Sequence, residues 1–447
     1  STLSPPKYPI QSTMRYIYSL FFLWAIAHNL NPLLIPHLKK VCELSDLQSA
    51  LVDSAFYIGY FIMALPAGAY IKRYGYNKAI TVGLMLFGVG ALMVGIFGSQ
   101  QEFYSALCGL FTMAAGLTFL ETAANPLVTL LGKPETATTR LNLAQSFNGL
   151  GAAISVFVGG MILFPNHNKN ADAILSHSAQ TSTAEALAEQ AEKLINPYLF
   201  IAAITVFLGD AFRQGWIKLP EIASNNETND TRTDASNGKS NFLNPTEPYL
   251  QPDLHWLQQI KALLITPQFN LGLIAQFCYV GAQVGVGSFF IRYATTYSHI
   301  QESVAATALS FGLLLFMSGR FMGTLLMRYV SPAKLLFTYA IICIALCSFV
   351  ALFASDSGMW ILILLQFFMS IMFPTIFSLS LSQLKQSPPM ASSLLIMSIV
   401  GGAIFPLCMG FISDQSSIQY AYLVPVICFV FVAIFAKRIS DLANSVT

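Results

Sequence analysis

The sequence predicts an all-α integral membrane protein, with twelve transmembrane helices in two pseudo-symmetric six-helix halves. Three observations predict it. Of the 447 residues, 55% are hydrophobic and only 10% charged, with a mean hydropathy of +0.61, whereas a soluble domain is about a quarter charged. Apolar runs of spanning length recur at about 16–37, 47–70, 78–98, 104–131, 141–164, 197–217, 268–296, 304–328, 334–354, 359–384, 390–412 and 419–436. A polar stretch at 219–252, rich in Asn, Thr, Ser, Asp and Pro, divides these runs six and six and reads as a flexible linker. The expected domains are 1–218, a linker with an interfacial helix at 219–262, and 263–447.

Taken in order, the first span carries His28, Asn29 and Asn31 near its middle, then Pro32, which kinks a helix and frees a backbone carbonyl. It begins near Tyr16 and runs on at spanning length, so no cleavable signal peptide is expected. The second span holds Asp53 in its outer part, with Tyr57 and Tyr60 on the same face. The fourth and fifth spans, joined by a short basic loop, form the stretch the rest is organised around, GLTFLETAANPLVTLLGKPETATTRLNLAQSFNGLG, with Glu121, Asn125, Gln145 and Asn148. A lone carboxylate in an apolar run persists only where it faces a protein interior or a watery cavity, so Glu121 is the leading candidate for a group that carries a proton or pairs with a cation. Gln145 and Asn148 lie one helical turn apart, and their amides offer the donors and acceptors that hydroxyls need; bonding between helices is the alternative. The polar loop 165–195 includes AEALAEQAEKL, expected as a short surface helix. After the linker, Leu254, Leu257, Ile260 and Leu264 recur at helical spacing beside Trp256, the pattern of a helix lying on a membrane surface. In the seventh span Gln276, Tyr279 and Gln283 share a face of apolar bodies with polar tips, which could line a solute site; packing explains Tyr279 nearly as well. Arg320 in the eighth span is expected to pair with backbone or another helix at the inner edge.

The halves resemble each other. PAGAYIKRYGYNKAI matches RFMGTLLMRYVSPAKLL, NPLVTLL matches FPTIFSL, and GLGAAI matches IVGGAI. Repeated halves joined by a long loop indicate a secondary transporter with its site at the midplane between them. Lys72, Arg73, Lys78, Lys133, Arg140, Arg213, Lys218, Arg328, Lys334, Lys385, Lys437 and Arg438 fall on one side, and only Lys39, Lys40, Lys169 and Lys193 on the other. That asymmetry places both termini and the linker in the cytoplasm. Of the seven cysteines, six lie in apolar segments and are expected to be packing residues. A formal net charge of +2 gives no sign of nucleic-acid binding, and no H-E-x-x-H, phosphate-loop or Ser-His-Asp pattern marks an enzyme.

GAYIKRYGYNK resembles the signature inner loop of the major facilitator superfamily, Gly-x-x-x-Asp-Arg-x-Gly-Arg-Arg-Lys: Gly68, Arg73, Gly75 and Lys78 match, and Lys72 replaces the acidic residue. More specifically, SLFFLWAIAHNLN, SAFYIGYF, AAGLTFLETAANPLVTLLG, RLNLAQSFNGLGA, LAQFCYVGAQ, FPTIFSLSL and GFISD are similar to segments of the fucose–proton symporter family, which also contains glucose/galactose and N-acetylglucosamine transporters. The resemblance implies the major facilitator fold and import of a monosaccharide by cation symport with alternating access across a bacterial inner membrane. It retains the family's glutamate as Glu121 and its amides as Gln145 and Asn148. Proton-coupled fucose members carry an aspartate directly after Asn-Leu-Asn, where this chain has Pro32, and a tyrosine where it has Phe373. By analogy Trp24 and Phe373 stack on the sugar.

The expected coupling ion is a proton carried by Glu121, with Asp53 as a second carboxylate. Sodium, held by Asp53, Asn29, Asn31 and the carbonyl freed by Pro32, is the alternative. An uncoupled facilitator and a non-transporting sugar sensor are the other readings. A monomer in the lipid bilayer, with no cofactor, metal or nucleic-acid partner, is expected.

Overall fold

The computed structural model describes residues 14–26, 46–100, 102–163, 183–215, 256–353, 355–384 and 389–446; at 46–55, 156–163, 183–195, 256, 302–303, 306 and 444–446 it describes the backbone alone. His28, Asn29, Asn31 and Pro32 lie outside the described residues, as do the linker 219–252 and most of 165–195.

Among the described residues the chain is helical throughout, with no strand. Hydrocarbon supplies no partner for a backbone N–H or C=O, so each spanning segment must satisfy its own backbone, and a helix does so. The first half comprises α1 (Met14–Ile26), α2 (Asp46–Tyr74), α3 (Tyr76–Ser99), α4 (Phe103–Leu130), α5 (Ala137–Leu163) and α6 (Thr183–Arg213). A short amphipathic helix, α7 (Trp256–Ile265), exposes Leu257 and Leu264 and buries Leu263. The second half begins with α8 (Pro267–Tyr297), α9 (Glu302–Leu326) and α10 (Pro332–Leu352). Its last three spans are each broken into pieces: α11 (Ser357–Met369) with α12 (Met372–Ser382), α13 (Pro389–Met397) with α14 (Gly401–Gln415), and α15 (Ile418–Ala421) with α16 (Leu423–Val446).

Two expectations are corrected. AEALAEQAEKL does not form a separate surface helix; it is the first part of α6, which runs on through Pro197 into the sixth span. The cysteines are not uniformly packing residues: Cys278, Cys343, Cys347 and Cys428 are buried, while Cys108 and Cys408 are exposed.

Within the first half α3 packs along α4 and α6, and α2 along α4; within the second, α16 packs along α10 and α8, and α9 along α11. The halves meet where α2 and α4 touch α13 and where α5 touches α9 and α12. The turn from α4 to α5 sets the facing of those two helices. Gly132 adopts φ of 104°, which a side chain resists, and Arg140 folds back over it. The Arg140 guanidinium donates to the carbonyls of Val128 (3.3 Å), Thr129 (3.0 Å) and Lys133 (2.7 Å), closing the C-terminal end of α4 where helical donors run out. This clasp holds α5 against α4 and brings Gln145 opposite Asn125.

Candidate functional site

Proline places the first polar groups. Pro374 follows a break at Ser370–Ile371 between α11 and α12, and it offers no N–H to the carbonyl of Ser370. Two side chains take up the carbonyls released there: Tyr279 of α8 donates its hydroxyl to Met369 at 2.8 Å, and Arg320 of α9 donates Nε to Ser370 at 3.1 Å. The guanidinium then reaches across to the other half, where Nη1 donates to the Gln145 backbone carbonyl at 2.7 Å and contacts its Oε1 at 3.4 Å. Its carbon lies 4.8 Å from the Phe316 ring centroid, so the cation is also covered by an aromatic face.

With its Oε1 turned toward Arg320, Gln145 donates Nε2 to Asn125 Oδ1 at 3.1 Å. Asn125 is fully buried, and its own Nδ2 has no hydrogen-bond partner in the protein. One turn before it on α4, half-buried Glu121 accepts a 2.7 Å hydrogen bond from the Tyr60 hydroxyl of α2. Asn148 is half-buried and donates to the Phe21 carbonyl of α1 at 3.4 Å.

The seventh-span trio divides. Gln276 is fully buried with both amide atoms unpartnered, Tyr279 is fully buried with its hydroxyl committed to Met369, and Gln283 is half-buried. Trp24 is buried with its ring 4.4 Å from Phe21, and half-buried Phe373 stacks on Phe377 at 6.3 Å. Asp53 sits in α2, where the backbone alone is described; Asn29 and Asn31 lie outside the described residues. Glu121, Asn125, Gln145 and Asn148 are thus brought together, while the contacts of Asn29, Asn31 and Asp53 are not described.

Arg320 pairs with backbone, as expected, through the carbonyls of Ser370 in its own half and Gln145 in the other. The signal was present, since a lone cation in an apolar span calls for a buried partner as strongly as a lone carboxylate does. The sequence spacing places Tyr60 on one face with Asp53, and its bond to Glu121 joins spans that no spacing rule relates.

Chemically, the level around Gln145 combines a carboxyl group, a guanidinium, amides with unused donors and acceptors, and aromatic rings. Amides bond hydroxyls in both directions, rings cover C–H faces, and a carboxyl beside a phenol can gain or lose a proton.

A profile of the Major Facilitator Superfamily matches residues 10–396. The L-fucose-proton symporter of Escherichia coli (strain K12) is 36% identical over 429 residues, which cover 96% of this chain and 93% of that protein. A glucose/galactose transporter of Brucella abortus biovar 1 (strain 9-941) is 35% identical over 418 residues, covering 93% of this chain and 91% of that one. Among solved structures, a Major Facilitator Superfamily transporter, FucP, in the outward conformation superposes with a TM-score of 0.81 at 36% identity, over 95% of this chain and 98% of that one. A bacterial homologue of the iron transporter ferroportin matches with a TM-score of 0.67 at 11% identity, over 97% of this chain and 100% of that one, a likeness of fold alone.

Proposed function

The chain belongs to the Major Facilitator Superfamily, and from that membership we propose that it imports a monosaccharide by proton symport, the two halves rocking about a site near Gln145. The observation that carries this reading is the polar level itself: Glu121 bonded to Tyr60, and Gln145 held between Asn125 of its own half and Arg320 of the other. Buried amides with spare capacity on Asn125 and Gln276 need polar partners, and a sugar's hydroxyls supply them. The relatives named for fucose–proton and glucose/galactose transport support a hexose as the cargo and a proton as the ion.

In this reading Gln145, Asn148, Asn125, Gln276 and Gln283 bind hydroxyls, Trp24 and Phe373 flank the ring, Asn29 and Asn31 complete the site from the first span, and Tyr279 braces α8 against the break in α11–α12. Glu121 carries the proton, and its exposure to one side or the other changes as the halves rock. The basic-residue asymmetry supports an orientation with both termini in the cytoplasm of a bacterium, and in this reading the chain works in the inner membrane as a monomer. Pro32, in place of the first-span aspartate, favours a second reading, a facilitator that equilibrates sugar without coupling.

The experiment is uptake of a panel of labelled monosaccharides into proteoliposomes, with proton and sodium gradients imposed separately. Accumulation of one sugar under an inward proton gradient is expected. Counterflow without accumulation under either gradient would select the facilitator, and saturable binding with no uptake would select a sensor.

A further inference from the structure

Resting on the transport reading above, we infer that Arg320 sets the direction of two amides at the sugar site, so that Asn125 presents N–H donors and selects the cargo by a hydrogen-bond acceptor. Arg320 acts through Gln145 and is a positioning residue; Asn125 is the group that meets the cargo.

The two ends of a side-chain amide are alike in shape and opposite in chemistry, since the oxygen only accepts and the nitrogen only donates. Two amides in contact are therefore satisfied in either of two senses, and a group outside the pair has to choose. Here the choice comes from the other half. A guanidinium has donors and no acceptor, and Arg320 Nη1 lies 2.7 Å from the Gln145 backbone carbonyl and 3.4 Å from the end of the Gln145 side chain. The amide atom that faces those N–H groups has to be the oxygen, Oε1. Nε2 is thereby turned to Asn125, 3.1 Å away, and a donor at that place requires Oδ1 on Asn125. What is left for the cargo is Asn125 Nδ2, which carries two hydrogens and has no hydrogen-bond partner in the protein.

The guanidinium is itself held in place. Its Nε donates to the Ser370 carbonyl at 3.1 Å, and the Phe316 ring centroid lies 4.8 Å from its carbon. A Cβ at Gly149, one turn beyond Gln145 on α5, would lie 3.9 Å from Nη1, so the cation rests directly on α5. Arg320 and Gln145 are buried and Asn125 has no exposed surface, so bulk water does not compete for either amide. The site opens along the face of α4 that carries half-buried Glu121, one turn before Asn125. An oxygen of the cargo, in a hydroxyl or in the ring, gives Nδ2 its bond. A C–H group in that place leaves a buried donor unpaired, which such a site penalises more than a merely weaker bond.

Binding of monodeoxy and monodeoxyfluoro hexoses to the purified full chain reads this direction. Fluorine in place of a hydroxyl accepts a weak hydrogen bond and cannot donate one, while hydrogen does neither. At one ring position the native chain should bind the fluoro analogue at least fivefold more tightly than the deoxy analogue. Gln145→Glu keeps the shape, but its second oxygen only accepts; Asn125 then turns over, offers Oδ1, and the preference should fall to within twofold. Arg320→Met frees both amides to turn and should lose the preference too. Arg320→Lys, still a pure donor, should keep it. A purely structural role for Arg320 would weaken both analogues alike and move no ratio. A native chain with no such ring position, a ratio that survives Gln145→Glu, or a ratio lost in Arg320→Lys overturns the inference and leaves the transport reading intact. A native chain that binds none of the parent hexoses overturns the transport reading, and the inference falls with it.

Discussion

The level around Gln145 and the contacts of Thr138 with Ser378, Asn142 with Thr375 and Ser392 with the Thr122 carbonyl all bridge the halves, yet they are built from different materials. The first is held by a cation: Arg320 spans from Ser370 to Gln145. The others contain hydroxyls, one amide and one carbonyl. Three neutral bonds at about 0.5–1.5 kcal/mol each contribute about 1.5–4.5 kcal/mol, a gap of the size that separates conformers populated at about 0.1–10%. The charged level cannot come apart so cheaply, since a buried charge stripped of partners costs about 3–5 kcal/mol. The difference teaches that, on the proposed reading, the strongest tie between the halves sits where the solute is recognised.

The sharpest way to break this comparison is Arg320→Met. It leaves the carbonyls of Ser370 and Gln145 without their donor and should lower stability in detergent by about 2–6 kcal/mol, about 1–3 kcal/mol for each stranded carbonyl, read by denaturation. Arg320→Lys should fall between, because an ammonium on a flexible stem lacks the planar fork that faces two carbonyls at once. A stability unchanged by Arg320→Met would mean that the charged level is no strut.

Next in size are Gln145→Ala and Asn148→Ala. Each should weaken sugar binding by about 1–3 kcal/mol while the protein stays folded, because a buried partner is left unpaired; calorimetry on purified protein reads it. Undiminished affinity in both would remove α5 from the sugar site.

The smallest effect is expected at the neutral contacts. Thr138→Val deletes one neutral bond, worth about 1 kcal/mol, and should lower stability in detergent by that amount with the sugar's Kd unaltered. If Thr138→Val moved Kd as far as Gln145→Ala does, the two regions would not differ in role.

Much of the fold was legible in the sequence because a membrane span announces itself by length and hydropathy; among the described residues eight helical spans, three of them broken within, meet that criterion, from Tyr76–Ser99 to Ile418–Ala443. The breaks in the last spans were not legible, since an interruption at Ser370–Ile371 depends on which neighbours accept the released carbonyls, and Tyr279 and Arg320 come from distant helices. Glu121, Gln145 and Asn125 were legible as polar residues in apolar runs; that Gln145 would be fixed by Arg320 was not, because the two lie 175 positions apart. The neutral contacts between the halves were the least legible part. Thr138, Thr375, Ser378 and Ser392 are small hydroxyls of the kind that helices bury everywhere by bonding their own backbone, and only the pairing across the halves separates these from the rest.

The central claim, that Glu121 couples sugar movement to protons, is tested most directly by sugar accumulation in proteoliposomes made from the native chain and from Glu121→Gln. The account predicts that an inward proton gradient drives accumulation by the native chain and a sodium gradient of equal size does not. Glu121→Gln, a mimic of the protonated carboxyl, should lose accumulation and keep exchange of labelled for unlabelled sugar. Accumulation that follows sodium and ignores pH, or a Glu121→Gln variant that accumulates sugar as the native chain does, would contradict it.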